Sequence, residues 1–371
     1  MYLEHISLLN FKNIASAQLD FQPGINGLVG DNGAGKSNVL DAIYYLSMSK
    51  SMLPVNDSQS VRFESDYFMI DGRYRSDATR TERIACSYTK QRAVGAGRGG
   101  KILKRNGKEY ERLSDHVGFL PVVVVSPYDS VLISDSAEER RRFLNMLISQ
   151  FDTKYLNSLI RYNALLLQRN SLLRSGGSES MLQIYDQQMM PHAQLIEQCR
   201  RETIQQLLPL VTRYYEMLSG GRESVNLEYR SSLTASDYEE LMLSARERDL
   251  NNGYSTVGVH RDDVTFEIAG HLLRKFGSQG QQKSFLVALK LAQYQLVSQR
   301  RGEHPILLLD DLFDKLDRGR VEQLVALVAG DDFGQIFISD CNQERLQLIL
   351  DKVDVEYGLY RVSQGVISND R

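Results

Sequence analysis

The segment GDNGAGKS, at residues 30–37, has residue types and spacing suited to binding phosphate. Its glycines let backbone N–H groups turn inward around an anion, and Lys36 supplies a charge that reaches the outer phosphates of a nucleotide. Ser37 offers a hydroxyl ligand for Mg²⁺. A strand pattern precedes the segment and a helical pattern follows it, as such a loop requires. We therefore predict a Walker A loop that binds ATP with Mg²⁺ through Gly30, Asp31, Asn32, Gly33, Ala34, Gly35, Lys36 and Ser37.

Two aspartates follow the apolar run ILLL at residues 306–309. A phosphate loop of this kind needs an acid at the end of a buried strand to hold the magnesium ion. We predict that Asp310 joins Ser37 in binding Mg²⁺, and that Asp311 polarises the attacking water, with Lys36 as the other catalytic residue. Adjacent residues of a strand point to opposite faces, so both aspartates face one site only if the backbone bends there.

A second glycine-containing segment, GSQGQQKS, occupies residues 277–284. Its spacing from Gly277 to Lys283 resembles that of the first loop, but Gln282 stands where a glycine should precede the lysine. A side chain there would crowd a phosphate cradle. The segment opens a helical pattern, so Ser278, Gly280 and the helix N-terminus are candidates for contacting a terminal phosphate. A polar loop that caps a helix is the simpler alternative.

The elements that would position these residues alternate between strand and helix patterns at both ends of the chain. Strand patterns cover most of the first 30 residues and of residues 60–125, and short apolar runs at 122–125, 306–309 and 336–338 indicate buried strands. Helical patterns dominate residues 137–218. We therefore predict a split α/β domain with a phosphate loop, formed by residues 1–126 and 250–371, and a mainly helical middle at 127–249 that is either an insertion in this domain or a second lobe.

The composition is that of an ordinary globular protein, with 371 residues, 42% hydrophobic and 25% charged. This length indicates two domains, or one with a large insertion. No apolar run approaches the roughly 20 residues that span a bilayer. The N-terminus does not have a signal-peptide pattern, and the three cysteines are far apart without a CxxC pair. We expect a cytoplasmic protein.

The net charge of −3 means that nucleic-acid binding needs a local basic patch. Residues 90–112 provide one candidate, a hairpin that carries Lys90, Arg92, Arg98, Lys101, Lys104, Arg105, Lys108 and Arg112. Such a hairpin is suited to following DNA phosphates, although a solvated charged hairpin explains it equally well. The run Arg140–Arg142 is a second candidate, for which salt bridges along a helix are an equal alternative.

The order of these segments resembles that of the ATP-binding cassette (ABC) ATPases. In that superfamily a serine–glycine loop that opens a helix is the signature motif, which contacts the nucleotide of the partner subunit. Within it, the chain is similar along essentially its whole length to the RecF family of DNA replication and repair proteins, which are related to SMC heads. The resemblance rests on NFKN, SPYD, ERRRFLN, YNALLLQRNSLL, GVHRDD, GSQGQQKS and LLLDDLFDKLD, in that order.

The resemblance implies an ABC-type ATPase head plus a helical lobe. It also implies a homodimer that forms with ATP, clamps double-stranded DNA at gaps or junctions, and helps to load a recombinase with RecR and RecO. Ser278, Gly280 and Gln281 would then contact the nucleotide of the other subunit. Residues 314–317 would form the D-loop, and Lys12 and Asn13 lie where relatives place a nucleotide-contacting basic residue.

The chain departs from the ABC pattern at three positions. Asp311 replaces the usual catalytic glutamate, Asp340 stands where a switch histidine is expected, and no Q-loop glutamine is evident near residues 126–127. These departures imply slow ATP hydrolysis, and we expect a weak, DNA-dependent ATPase. An SMC-type head and a transporter ATPase subunit remain alternatives. The middle of the chain contains Pro191 and Pro209 and is too short and broken for the long coiled coil of an SMC protein. A transporter ATPase subunit would need a membrane partner.

Overall fold

The computed structural model describes residues 1–76, 80–90, 100–234, 237–311, 318–353 and 355–369. Its strands are β1 (Tyr2–Phe11), β2 (Ile14–Asp20), β3 (Ile25–Val29), β4 (Tyr67–Arg75), β5 (Thr81–Thr89), β6 (Gly100–Arg105), β7 (Lys108–Glu109), β8 (Val122–Val125), β9 (Val225–Arg230), β10 (Asp263–Ile268), β11 (His271–Leu272), β12 (Ile306–Leu309), β13 (Ile336–Asp340), β14 (Tyr357–Ser363) and β15 (Val366–Asn369). Its helices are α1 (Lys36–Met48), α2 (Val131–Ser134), α3 (Ala137–Ser149), α4 (Thr153–Arg174), α5 (Glu179–Ser219), α6 (Tyr238–Asn252), α7 (Leu273–Phe276), α8 (Gln279–Arg301), α9 (Arg318–Val328) and α10 (Gln343–Leu350).

The chain divides into two compact units. One contains Met1–Asp129 and Gln293–Arg371, and the other contains Ser130–Ala292, so the second boundary falls inside α8. The sequence-based boundaries place residues 250–292 in the head instead. The assignment of residues 250–292 to the head therefore remains a prediction.

The first unit contains a mainly parallel sheet in the order β15-β14-β3-β13-β12-β8. The strands β3, β12 and β13 are buried at every residue, because a parallel sheet is usually covered on both faces. The buried strands predicted at 122–125, 306–309 and 336–338 are present. Because β3, β12 and β13 are parallel, their carboxyl ends lie along one edge of the sheet. The Walker A loop, Asp310 and Asp340 follow or end these strands at that edge.

The same unit contains an antiparallel sheet in the order β2-β1-β4-β5-β6-β7. The turn between β6 and β7 consists of Asn106 and Gly107, whose φ angles of 51° and 82° give the two-residue hairpin expected for Asn-Gly. Helix α1 packs against strands of both sheets and is buried along most of its length. The phosphate loop that precedes α1 is therefore anchored in the core of this unit.

The second unit combines helices with a three-stranded sheet in the order β11-β10-β9. Helices α4 and α5 pack against each other and are joined by the short turn that the sequence predicts at residues 175–178. Helix α5 runs for 41 residues through Pro191 and Pro209. The expectation that these prolines break the middle of the chain is wrong, because a proline removes one backbone hydrogen bond and a packed helix can continue past it.

A buried arginine ties the helices of the second unit together. Arg169 on α4 is fully buried, and it donates to Asp186 Oδ1 on α5 at 2.7 Å and to Asp249 Oδ2 on α6 at 2.8 Å. Removing one partner of such a pair costs about 3–5 kcal/mol, because the remaining charge is left buried and unpaired. None of the helices in the described ranges is long and apolar enough to cross a membrane.

Candidate nucleotide-binding site

The Walker A loop connects β3 to α1 and has the backbone that its glycines permit. Gly30, Gly33 and Gly35 have φ angles of 152°, 79° and 119°, a region that disfavours other residues. A Cβ atom at Gly30 would lie 2.0 Å from the carbonyl oxygen of Val362, so no side chain fits there. A Cβ at Gly33 would meet no atom within 4 Å, which places Gly33 on the open side of the loop. The loop therefore has the shape of an anion cradle.

Lys36 lies folded into this loop and is only 3% exposed. Its ammonium group donates to the carbonyl oxygens of Gly30, at 2.8 Å, and Asp31, at 3.1 Å. A buried charge needs such partners. The lysine is thus held inside the loop, and its catalytic role remains a prediction.

The residues predicted to hold Mg²⁺ meet although they are far apart in the sequence. Ser37 Oγ donates to Asp310 Oδ1 at 2.8 Å. Burial raises the pKa of Asp310, while the hydroxyl donors Ser339 and Ser37 act in the opposite direction. A carboxylate and a hydroxyl are hard oxygen ligands of the kind that Mg²⁺ prefers. Within the described residues no group of three His, Cys, Asp or Glu side chains is placed to hold a metal ion.

The backbone bends at Asp311, as the placement of two adjacent aspartates requires. Asp311 has a φ of 44°, a left-handed conformation that costs a non-glycine residue about 1–2 kcal/mol. Its N–H donates to Ser339 Oγ at 2.9 Å, and that hydroxyl donates to Asp310 Oδ1 at 2.7 Å. Ser339 therefore connects the two aspartates. The sequence reading missed it, and its signal was a small polar residue directly after the buried run 336–338.

The turn between β1 and β2 places Lys12 and Asn13 differently. Lys12 Nζ forms an ion pair with Asp41 Oδ2 on α1 at 2.5 Å, and the Asp41 side chain is fully buried. Asn13 Nδ2 donates to the carbonyl oxygen of Ala34 in the loop at 3.1 Å. The structure thus brings Asn13 to the phosphate loop, whereas the charge of Lys12 is engaged by α1.

The second glycine segment has the geometry of a helix cap. Ser278 Oγ accepts from the N–H of Gln281 at 3.3 Å, and the N–H of Ser278 donates to Gln281 Oε1 at 2.7 Å. This reciprocal pair is a capping box at the start of α8, and Gly280 lies in the first turn of that helix. Gln282 Nε2 also donates to the carbonyl oxygen of Gly277 at 2.9 Å. The segment is therefore not a second phosphate cradle, as the sequence argument expected.

Asp340, at the position of the missing switch histidine, is buried in an ion pair. Its carboxylate accepts from Arg345 Nε at 3.0 Å and from Arg345 Nη2 at 2.5 Å. Asp340 is 1% exposed, so this arginine compensates a carboxylate that has left water. The predicted D-loop, residues 314–317, lies outside the described residues.

Most of the candidate DNA-binding hairpin is paired within the chain. Lys101 forms an ion pair with Asp57 at 2.7 Å, and Arg105 forms one with Glu82 at 2.9 Å. The hydrogen bond from Arg105 lowers the pKa of Glu82 to about 2, against the effect of burial. Lys90 donates to the backbone carbonyl of Ser65, Arg112 lies 3.8 Å from Asp115, and Arg92 and Arg98 fall outside the described residues. The side chains of Lys104 and Lys108 make no polar contact with the described part of the chain.

The second basic candidate is also engaged. Arg140 binds Asp263 with two hydrogen bonds, at 2.7 and 3.1 Å, and Arg142 pairs with Glu139 at 3.1 Å. Arg141 donates to the carbonyl oxygen of Asp262 at 2.7 Å. These contacts favour the salt-bridge interpretation of this run.

The fold and this site together define the class of protein. A Walker A loop at the carboxyl edge of a parallel sheet, with an antiparallel sheet and a helical unit, is the architecture of an ABC-type P-loop ATPase head. An SMC head bound to the C-terminal winged-helix domain of ScpA shares this fold, with a TM-score of 0.57 and 16% identity over 100% of this chain and 97% of that one. Residues 2–73 match the family described as RecF/RecN/SMC N terminal domain. The predicted fold class is confirmed.

Full-length relatives identify the family within this class. The chain is 43% identical over 371 residues to the DNA replication and repair protein RecF of Phocaeicola vulgatus, covering 99% of this chain and 98% of that protein. It is 44% identical over 370 residues to RecF of Bacteroides thetaiotaomicron, covering 99% and 98%. A solved structure of the recombination mediator protein RecF with ATP has a TM-score of 0.88 and 28% identity, covering 100% of this chain and 98% of that one. The chain belongs to the RecF family, and the predicted resemblance is confirmed.

Proposed function

We propose that this chain is an ATP-dependent DNA-binding protein of recombinational repair and replication restart. In this proposal ATP joins two copies into a dimer that clamps DNA at gaps or junctions, and slow hydrolysis releases it. The preformed Walker A loop, with Lys36 buried inside it and Ser37 bonded to Asp310, is the observation that carries the proposal. A relative solved with ATP and described as a recombination mediator in the RecFOR pathway supports it.

The residues of the first unit are suited to holding ATP with Mg²⁺. When bound, ATP would supply the phosphoanhydride bond that is hydrolysed, and Mg²⁺ would shield the negative charge of its phosphates. The N–H groups of residues 30–37 and the N-terminus of α1 would bind the phosphates. Lys36, which now bonds to Gly30 and Asp31, would bind phosphate oxygens, and Ser37 and Asp310 would hold the cation. Asp311, whose left-handed backbone places it next to Asp310 at the strand end, would orient the attacking water.

Ser278 is suited to completing the site of a second copy. Its oxygen accepts the N–H of Gln281, and its hydroxyl proton has no acceptor in the described part of the chain. That proton is available for a phosphate oxygen, and the N-terminus of α8 adds a positive end. In the proposed dimer, Ser278, Gly280 and Gln281 of one copy face the ATP that the other copy holds.

The remaining features of the proposal concern DNA, partners and rate. Lys104 and Lys108 are the cations of the basic hairpin that have no internal polar partner among the described residues, so they are the DNA contacts that we propose there. The family resemblance supports RecR and RecO as partners in recombinase loading, and a cytoplasmic location. Aspartate at position 311 and the Asp340–Arg345 pair support slow hydrolysis.

Sizing by light scattering tests this function. The protein is measured alone, with Mg·ATP, and with Mg·ATP plus either a gapped or a blunt duplex. We expect ATP to convert monomer to dimer and the gapped duplex to bind the dimer in preference to the blunt one. If the protein stayed monomeric with ATP, or if its dimer did not bind DNA, the proposed clamp would be refuted and a different ATPase role would be favoured.

A further inference from the structure

Two hairpin turns from opposite ends of the chain meet behind the Walker A loop. One is the β1–β2 turn with Asn13, and the other is the β14–β15 turn, formed by Gln364 and Gly365 with φ angles of 49° and 79°. Positive φ at both central residues makes the second a type I′ turn. A Cβ atom at Gly365 would lie 2.4 Å from the carbonyl oxygen of Asn13. The two turns are therefore in direct backbone contact.

Both turns donate a hydrogen bond to the same carbonyl of the phosphate loop. The N–H of Gly365 reaches Ala34 O at 2.8 Å, and Asn13 Nδ2 reaches it at 3.1 Å. The carboxamide of Asn13 is itself fixed, because its Oδ1 accepts from Asn38 Nδ2 on α1 at 2.7 Å. The Ala34 carbonyl is thus held by two donors outside the loop.

Holding this carbonyl also orients the amide next to it. A peptide unit is planar and trans, so the N–H of Gly35 points away from the direction of the Ala34 carbonyl. The described chain contains no cis peptide bond. The N–H of Gly35 is therefore turned to the side of the loop opposite Asn13 and Gly365. A side chain at position 35 would disturb this arrangement, because its Cβ would lie 2.8 Å from Asn13 Oδ1.

We propose that Asn13 and Gly365 are positioning residues for nucleotide binding. Acting together on the Ala34 carbonyl, they preorganise the Gly35 N–H to donate to a phosphate of the bound nucleotide. The C-terminal hairpin is then part of the nucleotide site although it contains no nucleotide motif. This inference rests on the proposed function, in which the loop binds ATP.

The experiment compares Gly365→Ala with Gly107→Ala. Gly107 also occupies the second position of a two-residue hairpin, with a φ of 82°, but a Cβ there would meet no atom within 4 Å. Both substitutions place alanine in the left-handed region, and only the one at 365 separates the two turns. The measurements are the affinity for a fluorescent ATP analogue with Mg²⁺, the KM and kcat for ATP, and the unfolding temperature without nucleotide.

We expect Gly365→Ala to weaken the affinity and raise KM by about tenfold relative to Gly107→Ala, as loss of an oriented hydrogen bond implies, with kcat nearly unchanged. Asn13→Ala creates no clash and should also lower the affinity for the ATP analogue. It replaces Gly365→Ala in the test if that variant does not fold. Equal affinity in the wild type, Asn13→Ala and Gly365→Ala would overturn this inference alone. A wild type that does not bind the analogue would overturn the proposed function and this inference with it.

Discussion

The two glycine segments of this chain share their first and last letters but have opposite local structures. Residues 30–37 contain three glycines in the left-handed region, whereas residues 277–284, all of which the structure describes, contain no positive φ. Gly277 has a φ of −73°, which any residue can adopt. The residue directly before the lysine distinguishes the two segments. In the first segment it is Gly35, with a φ of 119°, and in the second it is Gln282, which continues a helix.

The polar groups of the two segments are also satisfied in opposite ways. In the first, the lysine binds loop carbonyls and two outside turns hold the Ala34 carbonyl. In the second, Gln281 and Gln282 bond to their own segment and close it as a helix cap. We therefore expect the first segment to surround a polyanion, whereas the second offers one hydroxyl at a helix end.

The largest effect that we expect separates the two lysines. Lys36→Arg should lower ATP affinity by about a hundredfold, because a planar guanidinium does not fit where the compact ammonium binds two loop carbonyls. The matched control is Lys283→Arg, which should leave affinity within about twofold, since Lys283 is only partly buried and lies outside the phosphate loop. Isothermal titration with Mg·ATP measures both. Equal losses in the two variants would remove the distinction between the segments.

The next effect tests whether the second segment serves another copy. Ser278→Arg should leave ATP binding by a single chain intact and abolish the ATP-driven dimer, because a long cation replaces the hydroxyl at the interface. Ser178, which caps α5 through a bond from the N–H of Met181, supplies the matched control. Ser178→Arg loses a serine cap in the same way and should still form the dimer. If Ser278→Arg instead prevented the monomer from binding ATP, the second segment would act within its own chain.

The smallest effect concerns the cap itself. Gln281→Ala removes one half of the capping box and the bond from Gln281 Nε2 to Glu223 Oε1, which is 3.0 Å long. We expect the free energy of unfolding to fall by about 1 kcal/mol, with no change in ATP affinity of the monomer. Urea unfolding with and without ATP measures both quantities. A lower ATP affinity would show that the capping glutamine has a second role.

The sequence predicted those parts of the site that depend on local pattern. The Walker A loop, the buried strands and the acidic pair after β12 all carry short-range signals, and the structure has them as elements. The sequence predicted only that the backbone bends near Asp311, because two adjacent aspartates must face one site. The structure shows that this bend is a left-handed residue at Asp311. Local chemistry was sufficient for these residues.

The parts that the sequence reading missed depend on tertiary contacts. Ser339 gains its role by lying on the strand next to β12, and Gly365 by meeting Asn13 from the other end of the chain. Ser339 carries only the weak signal of a small polar residue after a buried run, and no short-range pattern marks the contact of Gly365 with Asn13. Tertiary contacts also add what the motif does not show at Lys12, whose ammonium pairs with Asp41 on α1, while its nucleotide contact stays a prediction. The continuity of α5 through two prolines likewise reflects packing rather than propensity.

Mixing two inactive variants tests most directly whether one nucleotide is shared by two copies. Lys36→Arg and Ser278→Arg chains are combined in equal amounts, and ATP hydrolysis on gapped DNA is compared with that of each variant alone. In a mixed dimer, one nucleotide site combines the Lys36→Arg loop with the Ser278→Arg segment, and the other site has neither substitution. About half of the dimers are mixed and each has one intact site, so the mixture should recover about a quarter of wild-type activity. If the mixture stayed as inactive as its components, Ser278 would not complete the nucleotide site of another copy, and the account would be contradicted.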